Sequence, residues 1–149
     1  MHPTGAVFLL SLALYAGYFI STFVARRWSK VLLMGAAAVL AASWLYYAAS
    51  FVLQDFTLLE VARNTNVGLP WWLRLSASWA SAGSSLLLLS LLLGLYISAA
   101  ARAGAAINAL RISTAILLMV GASSFFYGTF DTLSEPTIGG GLNPLLKSF

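Results

Sequence analysis

The chain of 149 residues has no cysteine, one histidine and four acidic side chains. Without cysteine there is no disulfide, zinc ribbon, CxxC redox centre or thiolate-held iron–sulfur cluster. The single histidine, His2, cannot make a two-histidine haem or metal site within this chain; a nucleophilic triad needs a base beside serine or threonine, and this one histidine sits next to the N-terminus, where it does not suggest that role. No Gly-x-x-x-x-Gly-Lys run is present, and Gly139 to Gly141 is followed by neither a helix-forming segment nor an adjacent lysine, so that cluster reads as a turn. The acids Asp55, Glu60, Asp131 and Glu135 all fall outside the long apolar runs, which leaves no carboxylate for a proton relay through a membrane. Eight Lys and Arg give a net charge of +4. They occur as pairs and singletons between apolar runs, not as a basic stripe, so a nucleic-acid partner is not indicated. The sequence holds no self-contained catalytic site and no metal site.

What the chain has in quantity is apolar surface: 60% of residues are hydrophobic and the mean hydropathy is +0.89. Segments 5–25, 31–54, 75–101 and 105–130 are each long enough to cross about 30 Å of hydrocarbon at roughly 1.5 Å per residue. Backbone groups in lipid must be paired within the segment, and these runs far exceed barrel-strand length, so they predict helices. The expected fold is an all-α integral membrane bundle of four transmembrane helices forming a single membrane domain over residues 1–149. The first helix is expected to be retained, because no basic stretch precedes it and Arg26, Arg27 and Lys30 follow it. Basic residues favour cytoplasmic connections. Arg26, Arg27, Lys30, Arg102 and Arg111 lie at one set of helix ends, while all four acids share the other with Arg63, Arg74 and Lys147. Both termini, the loop 55–74 and the tail 131–149 are therefore expected on the outer face of a prokaryotic plasma membrane.

Within lipid, helices associate through close approach at small residues. Ala13, Gly17, Ser21 and Ala25 fall at successive i+4 steps, as do Ala77, Ser81 and Ser85, and each set predicts a small ridge on its helix. The loop 55–74 combines apolar Phe56, Leu58, Leu59, Val61 and Ala62 with the polar turn Arg63 to Asn66 and then Pro70, a pattern suited to lying on the membrane surface. The carboxylate pairs Asp55 with Glu60 and Asp131 with Glu135 read as solvated interfacial charge, and His2 as a polar terminus. Arg111 reads as a snorkelling cation, with an anionic head group or haem propionate as the alternative. Trp44, Tyr46, Tyr47, Trp71, Trp72, Trp79, Phe125, Phe126, Tyr127 and Phe130 read as an interfacial belt, part of which would suit a flat apolar cofactor.

The stretch Asp55-Phe56, then Val61-Ala62-Arg63-Asn64-Thr65-Asn66 and Leu69-Pro70-Trp71, followed by Trp79 and Ser85-Leu86-Leu87-Leu88, resembles the CcmF/NrfE family of cytochrome c haem lyase subunits. In the tail, Gly141-Leu142-Asn143-Pro144-Leu145-Leu146 is similar to that family's outer-loop Leu-Asn-Pro-Leu-Leu-Gln. Two separated matches in the right order are more specific than either alone. The departures are Ala80, Gly83, Ser84, Leu89 and Lys147, which stand where the family has glycine, glutamate, glycine, tryptophan and glutamine. The resemblance spans nearly all 149 residues and looks like only the N-terminal four-helix portion of the family, a split or truncated form without the later histidines.

The resemblance implies a membrane subunit of a cytochrome c maturation haem lyase. Such a subunit would scaffold haem attachment to apocytochrome c alongside the remaining CcmF-like chain and a haem chaperone. Haem is implied in the assembled complex and not as a group held by this chain alone. Asn64, Asn66, Pro70, Trp71, Trp79, Asn143 and Pro144 are the implied loop or partner interface, the asparagines fixing the turn and the tryptophans anchoring it. The competing reading is a non-catalytic accessory subunit of a respiratory electron-transfer membrane complex.

Overall fold

The computed structural model describes residues 1–24 and 26–133. They form α1 (Pro3–Val24), α2 (Arg26–Val52), α3 (Leu59–Asn64), α4 (Trp71–Ala77), α5 (Ala82–Arg102) and α6 (Ile107–Phe126). Among the described residues there is no strand; a lone antiparallel bridge joins Leu58 to Thr132. Four helices, α1, α2, α5 and α6, are long and apolar enough to cross a membrane. They pack as a ring in which α1 touches α2 and α6, and α5 touches α2 and α6.

The same spacing of buried positions runs along all four. On α1 they include Thr4, Phe8, Ser11, Tyr15, Tyr18 and Thr22, and on α5 Gly83, Leu87, Ser90, Gly94 and Ile97. On α6 they are Leu110, Thr114, Leu117, Gly121 and Ser124, while α2 contributes Leu33, Ala36, Leu40, Ser43, Tyr47 and Ser50. Alternating steps of three and four residues give a period of about 3.5, the seam of a left-handed bundle. What lines the seam is small or hydroxylated as often as it is large. Seam hydroxyls donate to backbone carbonyls a turn earlier, as Ser11 does to Phe8, Ser90 to Leu86 and Thr114 to Leu110. Ser124 instead crosses to the Gly83 carbonyl at 2.8 Å, and Ser43 to that of Thr4 at 3.4 Å.

Close approach occurs where the seam narrows to glycine. A Cβ on Gly94 would overlap the Tyr15 hydroxyl and Leu40, one on Gly121 would meet Leu12, and one on Gly83 would strike Thr129. The expected ridge on α1 is not among these places. Ala13 is exposed, Gly17 has only Leu32 at 4.0 Å, Ser21 is buried with its hydroxyl on the Tyr18 carbonyl, and Ala25 lies outside the described residues. The second ridge is also corrected, since Ala77 ends α4 while Ser81 is the N-cap of α5.

That correction follows from the main departure from expectation, that segment 75–101 is not one helix. The serines of this stretch compete with the helix for backbone groups: Ser76 and Ser78 bond back to the carbonyls of Leu73 and Leu75. Ser81 and Ser84 then make a reciprocal capping box that starts α5 afresh. Helix α5 ends at Arg102, and Gly104, one residue past its C-cap Ala103, has the φ of +80° of a left-handed C-terminal stop. At this end Arg111 does not snorkel free. Its Nη2 donates to the Thr22 carbonyl at 2.7 Å, its Nε to the Thr22 hydroxyl at 3.1 Å, and its guanidinium lies 3.8 Å from the Phe23 ring centroid. The cation is thus spent on the negative end of the α1 dipole.

Among the described residues, three buried groups have no hydrogen-bond partner: the hydroxyls of Tyr15 and Tyr47 and the indole nitrogen of Trp44. Tyr15→Phe removes an unmatched donor and is expected to leave stability unchanged or raise it by up to about 1 kcal/mol. Gly94→Ala overpacks the same contact and is expected to lose about 1–3 kcal/mol. Gly17→Ala should stay within about 0.5 kcal/mol of wild type. Unfolding midpoints in mixed detergent micelles check all three; equal losses at Gly17 and Gly94 would contradict the seam.

Candidate docking face at the acidic end

The N-terminus of α1, the C-termini of α2 and α6 and the N-terminus of α5 come together at one end of the bundle, with Asp55, Glu60 and Asp131. Here the chain closes on itself. The backbone N–H of His2 donates to the Phe130 carbonyl, that of Leu59 to Asp131 and that of Leu133 to Thr57, each at 2.9–3.0 Å. Beneath these bonds Phe130 stacks on Phe8, Tyr47 and Phe125, with centroids 5.2–5.9 Å apart, and Tyr47 also packs on Phe51. Tyr47 and Phe130 are therefore core, not belt or platform, because their rings fill the junction of α1, α2 and α6.

His2 is buried, against the expectation of a polar terminus. Its Nδ1 lies 2.8 Å from the Thr4 hydroxyl and 3.4 Å from the Thr4 backbone nitrogen, and its Nε2 lies 3.0 Å from Asp55 Oδ2. A backbone N–H can only donate, so Nδ1 accepts and the proton sits on Nε2, pointing at the carboxylate. The imidazole thereby caps α1 and ties it to the loop after α2. Partial burial pushes the Asp55 carboxyl upward. Hydrogen bonds from the Thr57 hydroxyl at 2.6 Å, from His2 and from the Thr57 backbone outweigh this and hold the group below the usual carboxylate range.

Between α2 and α4 the loop 55–74 is folded, not draped on a surface. Helix α2 stops in a Schellman turn: Asp55 N–H bonds the Ser50 carbonyl and Gln54 N–H the Phe51 carbonyl, with Gln54 at φ 57°. The Gln54 side chain then donates to the Asn66 carbonyl at 2.8 Å. Helix α3 is amphipathic and buries Glu60, Val61 and Ala62. Glu60, expected as solvated charge, is 6% exposed, because its carboxylate takes the Asn64 amide at 2.9 Å. Arg74 binds the rest: its guanidinium donates to the carbonyls of Leu69 at 2.6 Å, Val52 at 3.2 Å and Val67 at 3.3 Å. One cation thus holds the loop and the negative end of α2 together.

Of the residues singled out from sequence, Asn64 donates to the Glu60 carbonyl and carboxylate, within α3. Asn66 is exposed and contributes its backbone carbonyl, not its side chain, to the turn, which corrects the role expected of it. Pro70 is the N-cap of α4, a position that needs no backbone donor. Trp71, Trp72 and Trp79 are exposed at 64%, 57% and 41%. The structure brings Asn64, Asn66, Pro70, Trp71 and Trp79 to one end of the bundle; Asn143 and Pro144 lie outside the described residues. Gly83 is buried with its Cα side against Thr129 and Tyr127, so the position where the resembled family carries glutamate is packed shut here. The residues that sequence reasoning missed are Gln54 and Arg74. Arg74 gave one signal, a basic residue among outer apolar positions three residues after a tryptophan.

No group of three or more His, Asp or Glu side chains suited to a metal occurs among the described residues. The acidic end instead offers a braced cap with tryptophans turned outward. Four spanning helices closed by such a cap make this a multi-pass membrane protein. The chain is 34% identical over 116 residues to a protein of Escherichia coli named cytochrome c-type biogenesis protein CcmF, a match covering 72% of this chain. It is 31% identical over 107 residues to the proteins of the same name from Pseudomonas fluorescens and Pseudomonas aeruginosa, covering 66% of this chain in each case. The chain is a relative of the CcmF family. The matched region spans 18% of the length of the Escherichia coli protein and 16% of each Pseudomonas protein. No family model and no solved structure matches the chain.

Arg74→Gln is expected to loosen the cap by about 1.5–3 kcal/mol, the worth of hydrogen bonds to a charged group. Hydrogen exchange checks it: faster exchange confined to residues 64–74 is expected, and unchanged exchange there would contradict the clamp. The His2 tie has a pH signature. Because the folded Asp55 value is depressed, its contribution is complete above the unfolded value of about 4 and is lost as pH falls through the lower folded value. Exchange of the Thr4 and Thr57 amides should rise over that acid window in the wild type, and His2→Ala should show fast exchange at every pH.

Proposed function

We propose that this chain is a membrane subunit of a cytochrome c maturation haem lyase, in which it scaffolds haem attachment while a partner chain supplies the haem ligands. The observation that carries the reading is the cap itself. The residues through which the chain resembles CcmF, Asn64 to Trp72, are built into a hydrogen-bonded structure at the acidic end of the bundle, braced by Arg74 and Gln54. Thioether formation needs an ordered haem and delivered thiols, and a rigid aromatic-edged surface suits the holding of neighbouring subunits in register. In this reading the acidic end faces outward from a prokaryotic plasma membrane. Trp71, Trp72 and Trp79 sit at the membrane edge, and the partners are a remaining CcmF-like chain, a haem chaperone and apocytochrome c.

The packing of Gly83 against Thr129 favours a second reading, a non-catalytic accessory subunit of a respiratory electron-transfer complex, because it leaves no room for the family's glutamate. Mild-detergent purification from the native membrane, with mass spectrometry of the bound chains and a visible spectrum, separates the two. Recovery with haem and a chain bearing haem-ligating histidines and further CcmF-like helices is the expected result. Recovery with oxidase or reductase subunits would contradict the lyase reading and support the accessory one.

A further inference from the structure

The basic end of the bundle differs from the acidic end in being open. Between α2 and α5 lies a cleft of about 700 Å³, lined among others by Lys30, Met34, Ala38 and Ala41 on one side and Ala99 and Arg102 on the other. Small side chains make the groove: where leucines would interdigitate, alanines leave the two helices apart. The positions on α2 recur at i, i+4, i+8 and i+11, one face of the helix. Eleven residues at roughly 1.5 Å each run about 16 Å, close to half of the roughly 30 Å hydrocarbon core. The cleft therefore extends about one leaflet deep from a charged rim.

Among the described residues the rim is cationic and no acid stands at it. Lys30 and Arg102 make no hydrogen bond or ion pair among the described residues, in contrast to Arg111, which is committed to Thr22, Asn108 and the Phe23 ring. The described acids Asp55, Glu60 and Asp131 are all at the far end of the bundle. We propose that this cleft is a binding site for an anionic glycerophospholipid, its phosphate held between Lys30 and Arg102 and one acyl chain laid along the alanine-lined groove. Charge and shape act together. Two long cations at one membrane level match a phosphate, the guanidinium in a forked geometry, and basic pockets between transmembrane helices are where acidic head groups collect. The apolar groove below takes a flexible chain without requiring any polar partner from it. The occupant would fill the gap between α2 and α5 and bridge two helices whose contact is slighter than that of α1 with α2.

The test is native mass spectrometry of the full chain after delipidation and re-addition of phosphatidylglycerol and phosphatidylcholine in equal amounts. Wild type is expected to retain one phosphatidylglycerol with a preference of at least tenfold. Lys30→Gln with Arg102→Gln should bring the preference near unity. Ala38→Trp, which fills the groove with both charges intact, should abolish retention. Equal retention of the two lipids by wild type overturns the proposal without recourse to any variant. Undiminished phosphatidylglycerol on Ala38→Trp would also overturn it, by showing annular head-group attraction alone. Displacement of the lipid by millimolar inorganic phosphate, or crosslinking of Ala38→Cys to a partner's helix in the native complex, would likewise give the groove to another occupant.

Discussion

In a bilayer the inside of a helical bundle is no drier than the outside, so the arrangement of this protein depends on how closely backbones can approach along the shared seam. Gly83, Gly94 and Gly121 supply that approach, each against a side chain from another part of the chain: Thr129, Tyr15 with Leu40, and Leu12. Hydroxyls fill the intervening positions because they can satisfy themselves on the preceding turn and need little width. Other large apolar side chains, such as Leu92, Ile112 and Met119, face outward. The seam thus mixes glycines and hydroxyls with large side chains such as Phe8, Tyr15, Leu40 and Tyr47, while the lipid-facing surface is covered by further bulky apolar residues.

Once the seam has set helix positions, the two ends acquire different characters. At the acidic end, chain segments distant in sequence exchange backbone hydrogen bonds over a stacked aromatic layer, and His2 and Arg74 use side chains to cap a helix start and a helix stop. At the basic end the turn between α5 and α6 is short, Arg111 is absorbed by α1, and the α2 and α5 cations are left facing a cleft. A rigid, aromatic-edged cap and an open, lipid-sized groove suit a subunit that is fixed in the membrane and presents one finished face to its neighbours. The tryptophans of the cap stay exposed because none is needed to close it; the rings that close it are Phe8, Tyr47 and Phe130.

The four spans and their number were legible in the sequence because length and lack of charge alone decide them. The break before α5 was not, since Leu75 to Ala80 is as apolar as a helix needs and only the serine pairing of Ser81 with Ser84 reveals a new start. The seam escaped an i+4 reading of small residues. Its steps alternate between three and four, and it mixes glycine and hydroxyls with tyrosine, so Gly94 and Tyr15 look unrelated until they meet. Sequence resemblance drew attention to Asn64, Asn66 and Trp71, whereas the atoms that hold the cap belong to Gln54, Arg74 and the backbone. Buried His2 and Glu60 were read as solvated because one stands at a terminus and the other in a loop. What overrides that prior is a partner brought from elsewhere in the chain for His2, Asp55, and for Glu60 the local amide of Asn64.

The central claim, that the capped acidic end faces outward to meet the haem-bearing partner, can be tested directly because the chain has no cysteine of its own. Asn66→Cys and Ala103→Cys place single thiols at exposed positions of the two ends. With a membrane-impermeant maleimide on intact cells, labelling of Asn66→Cys and protection of Ala103→Cys until permeabilisation is the predicted result. The reverse pattern would contradict the account.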